Sequence, residues 1–196
     1  MINMNGFELR RKRKMDDILD AAFELFKNQG IKSTSVNSIA EKAKVSPVSI
    51  FNFFGSKENL VKQVVFRVMD EGIRDFESIV KSDLTFREKA KKILQFSDDE
   101  TYATINDDII SFNIESDPQM IKFFEEIGNT KTIPLYMELI EHGKQEGAID
   151  KSLSPSAVLL FINSVSAALR TAANAKERID LGKLLYYGLF GNAENE

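Results

Sequence analysis

The side chains best suited to molecular recognition lie between Thr34 and Lys57, on segments whose pattern indicates short helices. Hydroxyl and amide groups can exchange hydrogen bonds with base edges, and an exposed valine can contact a thymine methyl group. Helix N-termini and lysine ammonium groups can bind phosphate. This set of groups therefore indicates recognition of a nucleic acid, and it contains no evident catalytic machinery.

Two short helices joined by a tight turn must position these groups. Thr34 and Ser35 are both N-cap candidates for the first helix, and Lys44-Val45 forms the turn. Ser46 then caps a second helix that carries Pro47 in its first position, where the missing N–H costs nothing. This spacing alone leaves an ordinary helical hairpin as likely an explanation as a helix-turn-helix.

Around this hairpin, the spacing of apolar residues predicts a helix that ends at Gly30 and a long fourth helix that begins after Ser56. The whole stretch resembles the N-terminal domain of TetR-family transcriptional repressors. The matching residues are Ile18, Ala21-Ala22, Leu25-Phe26, Gly30, Thr34-Ser35-Val36, Ile39-Ala40, Ala43, Val45-Ser46, Ile50-Phe51, Phe54, Ser56-Lys57-Glu58 and Leu60.

The resemblance, with the helical pattern of the remaining chain, predicts an all-α protein of about nine helices. We expect a three-helix helix-turn-helix DNA-binding domain at residues 1–55 and a helical effector-binding and dimerisation domain at residues 56–196. Helix 57–80 would connect the two. The resemblance also implies a homodimer that places two recognition helices in successive major grooves of a palindromic operator, about 34–36 Å apart or somewhat more.

The residues expected to contact double-stranded DNA are those of the two helix starts, the recognition helix and the fourth helix. They are Thr34, Ser35, Val36, Ser46, Pro47, Val48, Ser49, Asn52 and Lys57. Phe51 departs from the family pattern, which usually has a tyrosine that donates to a phosphate, so we assign Phe51 to packing.

Charge is distributed in a way that suits this interpretation. Residues 1–60 carry ten Lys/Arg against seven Asp/Glu, whereas the remainder carries 16 against 23, within a total net charge of −4. A protein with a negative net charge can still bind DNA, because only the face that contacts the DNA has to neutralise phosphate charge. The basic run Arg10–Lys14 resembles the arms of family members that reach the DNA backbone, although it could equally be a solvated helix start.

The rest of the chain would bind an unidentified, apolar small-molecule effector. Candidate pocket walls are aromatic, and each could instead be plain core: Phe96, Tyr102, Phe112, Phe123, Phe124, Tyr136 and Phe161. A long uncharged helix and the last helix would form the dimer contact, or internal core, through Leu159, Ile162, Val165, Leu169, Leu181 and Leu185.

Enzymatic chemistry finds little support, because the chain has no cysteine and a single histidine. His142 has Glu138 and Glu146 four residues to either side, a spacing that could hold a divalent cation but is more often a surface charge cluster. We expect no metal, no cofactor, no membrane span and a cytoplasmic location. The alternative function is a helix-turn-helix DNA-binding protein without a small-molecule effector.

Overall fold

The computed structural model describes residues 6–97 and 117–190, which form nine α-helices, one π-helical turn and no strand. The all-α class is therefore confirmed. The helices are α1 (Gly6–Gln29), α2 (Val36–Lys42), α3 (Pro47–Phe54), α4 (Lys57–Val80), α5 (Phe86–Ser97), α6 (Pro118–Ile127), α7 (Ile133–Gln145), α8 (Pro155–Thr171) and α9 (Ala175–Phe190), with the π-helical turn at Gly128–Thr132.

The described residues divide into two compact units. The first contains the residues up to Gly72 together with 117–122, and the second contains 73–97 and 123–190. The first unit thus extends past residue 55, where we expected the DNA-binding domain to end. The limits 1–55 and 56–196 stay a prediction about function, since compactness does not define which residues bind DNA.

The first unit has a continuous apolar core. Apolar residues three and four positions apart on α1 and α4 face inward, as the sequence pattern predicts. The predicted left-handed cap at Gly30 is confirmed, with φ of 82°. The buried core residues are Ile18, Ala21, Ala22, Phe26, Ile31, Ile39, Ala40, Ile50, Phe54, Leu60, Val61, Val64, Val65, Val68 and Met120.

The second unit has its own core, to which α4, α5, α6, α7 and α8 contribute. Gly147 ends α7 in the left-handed conformation, and Ser154 and Pro155 begin α8. The Lys144 ammonium donates to the Leu153 carbonyl and so fixes the connection between α7 and α8. The buried residues of this core are Ile73, Val80, Phe86, Ile127, Leu135, Leu139, Ile140, Ile149 and Val158.

His142 belongs to a hydrogen-bonded network in the second unit. Buried Lys89 donates from Nζ to the carbonyl of Val80 at 2.7 Å and lies 3.2 Å from His142 Nδ1. Because an ammonium group only donates, Nδ1 accepts, and the N–H at Nε2 donates to Glu146 Oε1 at 3.0 Å. Both ring nitrogens are occupied, and no group of three metal-ligating side chains occurs among the described residues.

Candidate nucleic-acid interface

Serine side chains start both helices of the hairpin. Ser35 Oγ accepts from the Ser38 N–H at 3.0 Å, and Ser38 Oγ accepts from the Ser35 N–H at 3.1 Å, which closes a capping box at α2. Ser46 Oγ accepts from the Ser49 N–H at 3.1 Å, and Pro47 is the first residue of α3. The predicted cap at Ser46 is confirmed, and Ser35 is the cap of α2.

The turn between α2 and α3 is built around Lys44, as predicted. Its φ is 55°, in the left-handed region that glycine usually occupies. The Val45 N–H donates to the Ala40 carbonyl at 2.9 Å, and the Lys44 N–H donates to that of Glu41 at 3.2 Å. These two bonds form a Schellman motif, which ends α2 sharply and directs the chain into α3.

Helix α3 has a buried face and an exposed face. Ile50 and Phe54 are buried in the first unit, whereas Pro47 and Asn52 are exposed. Val48 is 66% exposed and Phe51 is 49% exposed. The assignment of Phe51 to packing is therefore wrong, because its position three residues after Val48 places both on the outer face of the helix.

Some of the polar side chains expected to contact DNA from this face already form hydrogen bonds within the hairpin. Ser49 Oγ lies 2.9 Å from Ser46 Oγ, so the two hydroxyl groups share a hydrogen bond. Val36 and Ser49 are half-buried, while Ser35 and Ser46 are exposed. The roles assigned to these residues and to Asn52 in DNA contact stay predictions.

Two of the predicted DNA contacts meet internal partners. Thr34 is only 1% exposed, and its hydroxyl donates to the Gly30 carbonyl at 2.7 Å and accepts from the Gln29 amide at 3.2 Å. A buried hydroxyl held this way does not present itself to a phosphate, so this assignment is wrong.

Lys57 is half-buried, and Nζ donates to the Ile31 carbonyl at 2.7 Å. Desolvation lowers the pKa of this ammonium from its ordinary value, against the opposing effect of the Glu58 carboxylate. Its predicted phosphate contact would have to use another of its three N–H groups. Removal of Lys57 would also break an internal bond, so the residue is a poor probe of phosphate binding.

The basic run Arg10–Lys14 is helical, because α1 already begins at Gly6. All five side chains are exposed. The guanidinium of Arg11 lies 5.6 Å from the centre of the Phe53 ring, a cation–π distance. This contact brings positive charge of α1 beside the end of α3, a proximity that the sequence alone did not indicate.

The described aromatic residues expected to form an effector pocket do not line the cleft found in the second unit. Phe123 packs on that unit's core beside Phe124, with ring centres 5.8 Å apart, and the Tyr136 ring lies 4.8 Å from that of Phe76. Phe161 packs closely against Gly188. The side chain of Phe96 and the whole of Tyr102 and Phe112 lie outside the described residues.

The cleft itself has a volume of about 270 Å³ and lies at α5, α8 and α9. Its walls combine aliphatic and aromatic surface with two basic side chains. The lining residues are Leu94, Leu169, Arg178, Ile179, Gly182, Lys183, Tyr186 and Tyr187. Of the residues singled out from the sequence, only Leu169 is among them, and it was assigned to the dimer contact.

The residues expected at a dimer contact lie on the inner side of α8 and α9. Leu185 is buried, and Leu159 and Ile162 pack against the core of the second unit, which favours the internal-core alternative for these three residues. Val165, Leu169 and Leu181 are half-buried. Among the described side chains of these two helices, the exposed large apolar ones are Leu160, Phe161, Ile179, Leu184 and Tyr187, which we call the α8–α9 outer face.

Comparison with known proteins agrees with the geometry of the hairpin. The sequence model of the family described as bacterial regulatory proteins, tetR family, matches residues 18–64, which include α2, the Lys44 turn and α3. Residues 18–64 form a TetR-type helix-turn-helix domain. The family's members are transcriptional regulators that act by binding DNA and are not enzymes.

Relatives of this chain include regulators of transcription and metabolism. The chain is 24% identical over 157 residues to the HTH-type transcriptional repressor KstR2 of Rhodococcus jostii, covering 76% of this chain and 74% of the repressor. It is also 29% identical over 87 residues to the fatty acid metabolism regulator protein of Bacillus subtilis, covering 44% and 45% of the two chains.

Solved structures share its fold. A TetR-family transcriptional regulator of Mesorhizobium loti superposes with a TM-score of 0.69 at 20% identity, covering 90% of this chain and 93% of that one. FadR of Bacillus subtilis, solved in complex with stearoyl-CoA, superposes with a TM-score of 0.64 at 20% identity, covering 89% and 98%. In residues 6–97 and 117–190, no helix has the length and apolar character needed to cross a bilayer.

Proposed function

We propose that this chain is a homodimeric repressor that binds a palindromic operator and is released from it by a small effector with an apolar body and an anionic end. The observation that supports operator binding best is α3, a short helix braced from behind by Ile50 and Phe54, with Val48, Phe51 and Asn52 on its open face. A helix presented in this way has the size and exposure needed to enter a major groove.

The α8–α9 outer face supports the homodimer. It carries five large apolar side chains that are exposed in the single chain, and obligate interfaces are rich in such residues. A symmetric pair would present two copies of α3, which matches the twofold symmetry of a palindrome. The outer face replaces the inward-facing residues that we first assigned to this contact.

The cleft at α5, α8 and α9 supports the class of effector. Leu94, Leu169 and Tyr186 supply apolar surface away from the α8–α9 outer face, and Arg178 and Lys183 supply positive charge at the same cleft. An amphipathic anion satisfies both kinds of wall. Stearoyl-CoA, which is bound to the structurally similar FadR of Bacillus subtilis, is a compound of this class and the first one to test.

Release requires the effector to bind the DNA-free form more tightly than the operator-bound form. A difference of about 1.4 kcal/mol changes operator affinity tenfold. The experiment selects bound duplexes from random DNA with the purified chain, then measures affinity for the enriched duplex by fluorescence anisotropy. Stearoyl-CoA, stearate and free coenzyme A are then titrated separately.

We expect enrichment of a palindrome and its release by stearoyl-CoA. A double variant Arg178→Glu, Lys183→Glu should lose the response to the effector while keeping operator affinity. Lys176→Glu, which reverses a single charge at an α9 residue outside the cleft, is the control for charge reversal on this helix. Failure to enrich any duplex would contradict operator binding, and an enriched duplex that no acyl compound releases would contradict the proposed effector class.

A further inference from the structure

The exposed face of α3 consists mainly of apolar side chains. Pro47, Val48 and Phe51 present only hydrocarbon beyond their backbone, and Asn52 supplies the one side-chain amide beside them. The hydroxyl of Ser49, which could have added a second polar group, bonds to Ser46 at the start of the helix. The surface that α3 offers to a partner is therefore largely apolar.

This apolar surface is not explained by the packing of the first unit. Val48 lies on the side of α3 away from the buried Ile50, and Phe51 lies between Val48 and the buried Phe54 on the helix surface. Large parts of the side chains of Val48 and Phe51 remain exposed. Their Cβ atoms are about 5–6 Å apart, as expected for residues three apart on a helix. They therefore form one continuous patch on the side of α3 that the proposed function places in the major groove.

In the major groove, the C5 methyl of thymine is the only alkyl group that the four standard bases present. A hydrocarbon patch gains nothing from the hydrogen-bonding edges of guanine, cytosine or adenine, and it would leave them desolvated. Thymine methyl groups are therefore the chemically matched partners for Val48 and Phe51.

We propose that Val48 and Phe51 are specificity-determining residues that select thymine in each operator half-site by packing on its C5 methyl group. Successive bases on a strand rise about 3.4 Å. Two side chains about 5–6 Å apart therefore select two thymines within about two steps of each other. This inference rests on the proposed operator binding.

The test replaces thymines of the selected duplex one at a time by deoxyuridine, which removes the methyl group and keeps every hydrogen-bonding atom. Burial of one methyl group corresponds to about a fourfold change in affinity. We expect losses of about this size at two nearby positions of each half-site, measured by anisotropy with the full-length protein. Thymines elsewhere in the duplex should tolerate the replacement.

Variants of the patch assign each loss to a side chain. With Val48→Ala the deoxyuridine penalty should disappear at one of the two positions, and with Phe51→Ala at the other. Asn52→Ala removes an amide and no apolar contact, so it should keep both penalties. Circular dichroism and urea denaturation verify that each variant is folded, which the exposure of these positions favours.

Equal affinity for thymine and deoxyuridine at every position would overturn the inference, as would penalties that persist unchanged in both alanine variants. A selected half-site without thymine would overturn it too. These results differ from failure of the proposed function, in which no duplex is enriched in the first place and the inference falls with it.

Discussion

Lys44 is the only residue other than glycine with a positive φ in the part of the chain that the structure describes. A left-handed backbone brings the Cβ of an L-residue close to the following carbonyl oxygen, at a cost of roughly 1–2 kcal/mol. The turn of the hairpin therefore retains some strain.

We predict that Lys44→Gly raises the free energy of unfolding by about 0.5–1 kcal/mol. Glycine removes the steric penalty in the folded state, and the greater conformational entropy of glycine in the unfolded chain offsets part of this gain. Urea denaturation followed by circular dichroism measures the change. Lys44→Ala is the control, since it removes the same charge and keeps the Cβ. Equal stabilisation by alanine and glycine would mean that charge, and not backbone strain, sets the effect.

Local signals among these residues were predictable from the sequence, and long-range partners were not. Ser46, Pro47 and Gly30 act through backbone groups within a few residues, so their types and spacing were enough to predict the helix ends. The Ile31 carbonyl that Lys57 binds is 26 residues away, and no local pattern indicates it. The exposed ring of Phe51 follows from the rotation of α3 on its core, which a short helix leaves uncertain.

At the level of elements, α6 begins within the first unit. Asp117 Oδ1 accepts from the Gln119 and Met120 N–H groups, and Oδ2 accepts from Lys62 Nζ at 3.0 Å. The bond from Lys62 lowers the pKa of Asp117. This cap holds the start of α6, and Met120 of the first turn is fully buried, with 0% of its surface exposed.

Met120→Ala should lower the free energy of unfolding by about 2–5 kcal/mol, because a long side chain is removed from a closed core. Urea denaturation of the full-length protein gives the change. Met137→Ala, at a partly exposed site on α7, is the matched control and should stay within about 0.5 kcal/mol of wild type. Equal effects of the two substitutions would show that Met120 does not contribute to the core.

Element identity was easier to predict than the orientation of an element. The uncharged stretch after Pro155 forms α8, as its length and spacing indicate. Apolar residues occur on more than one of its faces, so the sequence did not distinguish the face with Leu159 and Ile162, which packs inward, from the face with Leu160, which is exposed.

At the level of the whole molecule, the proposed dimer depends on the α8–α9 outer face. Leu184 is 62% exposed in the single chain and lies on this face. A lysine there would place a charge in an apolar contact between two copies, where it has no partner.

We therefore predict that wild type sediments as a dimer of the 22.2 kDa chain and that Leu184→Lys sediments largely as a monomer. The variant should also lose at least tenfold in operator affinity, since one copy of α3 then binds alone. Leu153→Lys, at an exposed apolar residue outside both helices, is the control and should remain dimeric. Dimers of unchanged stability in Leu184→Lys would refute this assignment of the interface.

The return of the chain to the first unit at residues 117–122 affects how this regulator can be rebuilt. A hybrid made by splicing the DNA-reading portion onto another protein's sensor at a single junction near Gly72 would omit Met120 and Asp117, the partner of Lys62. The transplanted portion would contain a cavity where the Met120 side chain packs, and Lys62 would lack its carboxylate partner. A working exchange of modules has to carry a second, short segment along with the first.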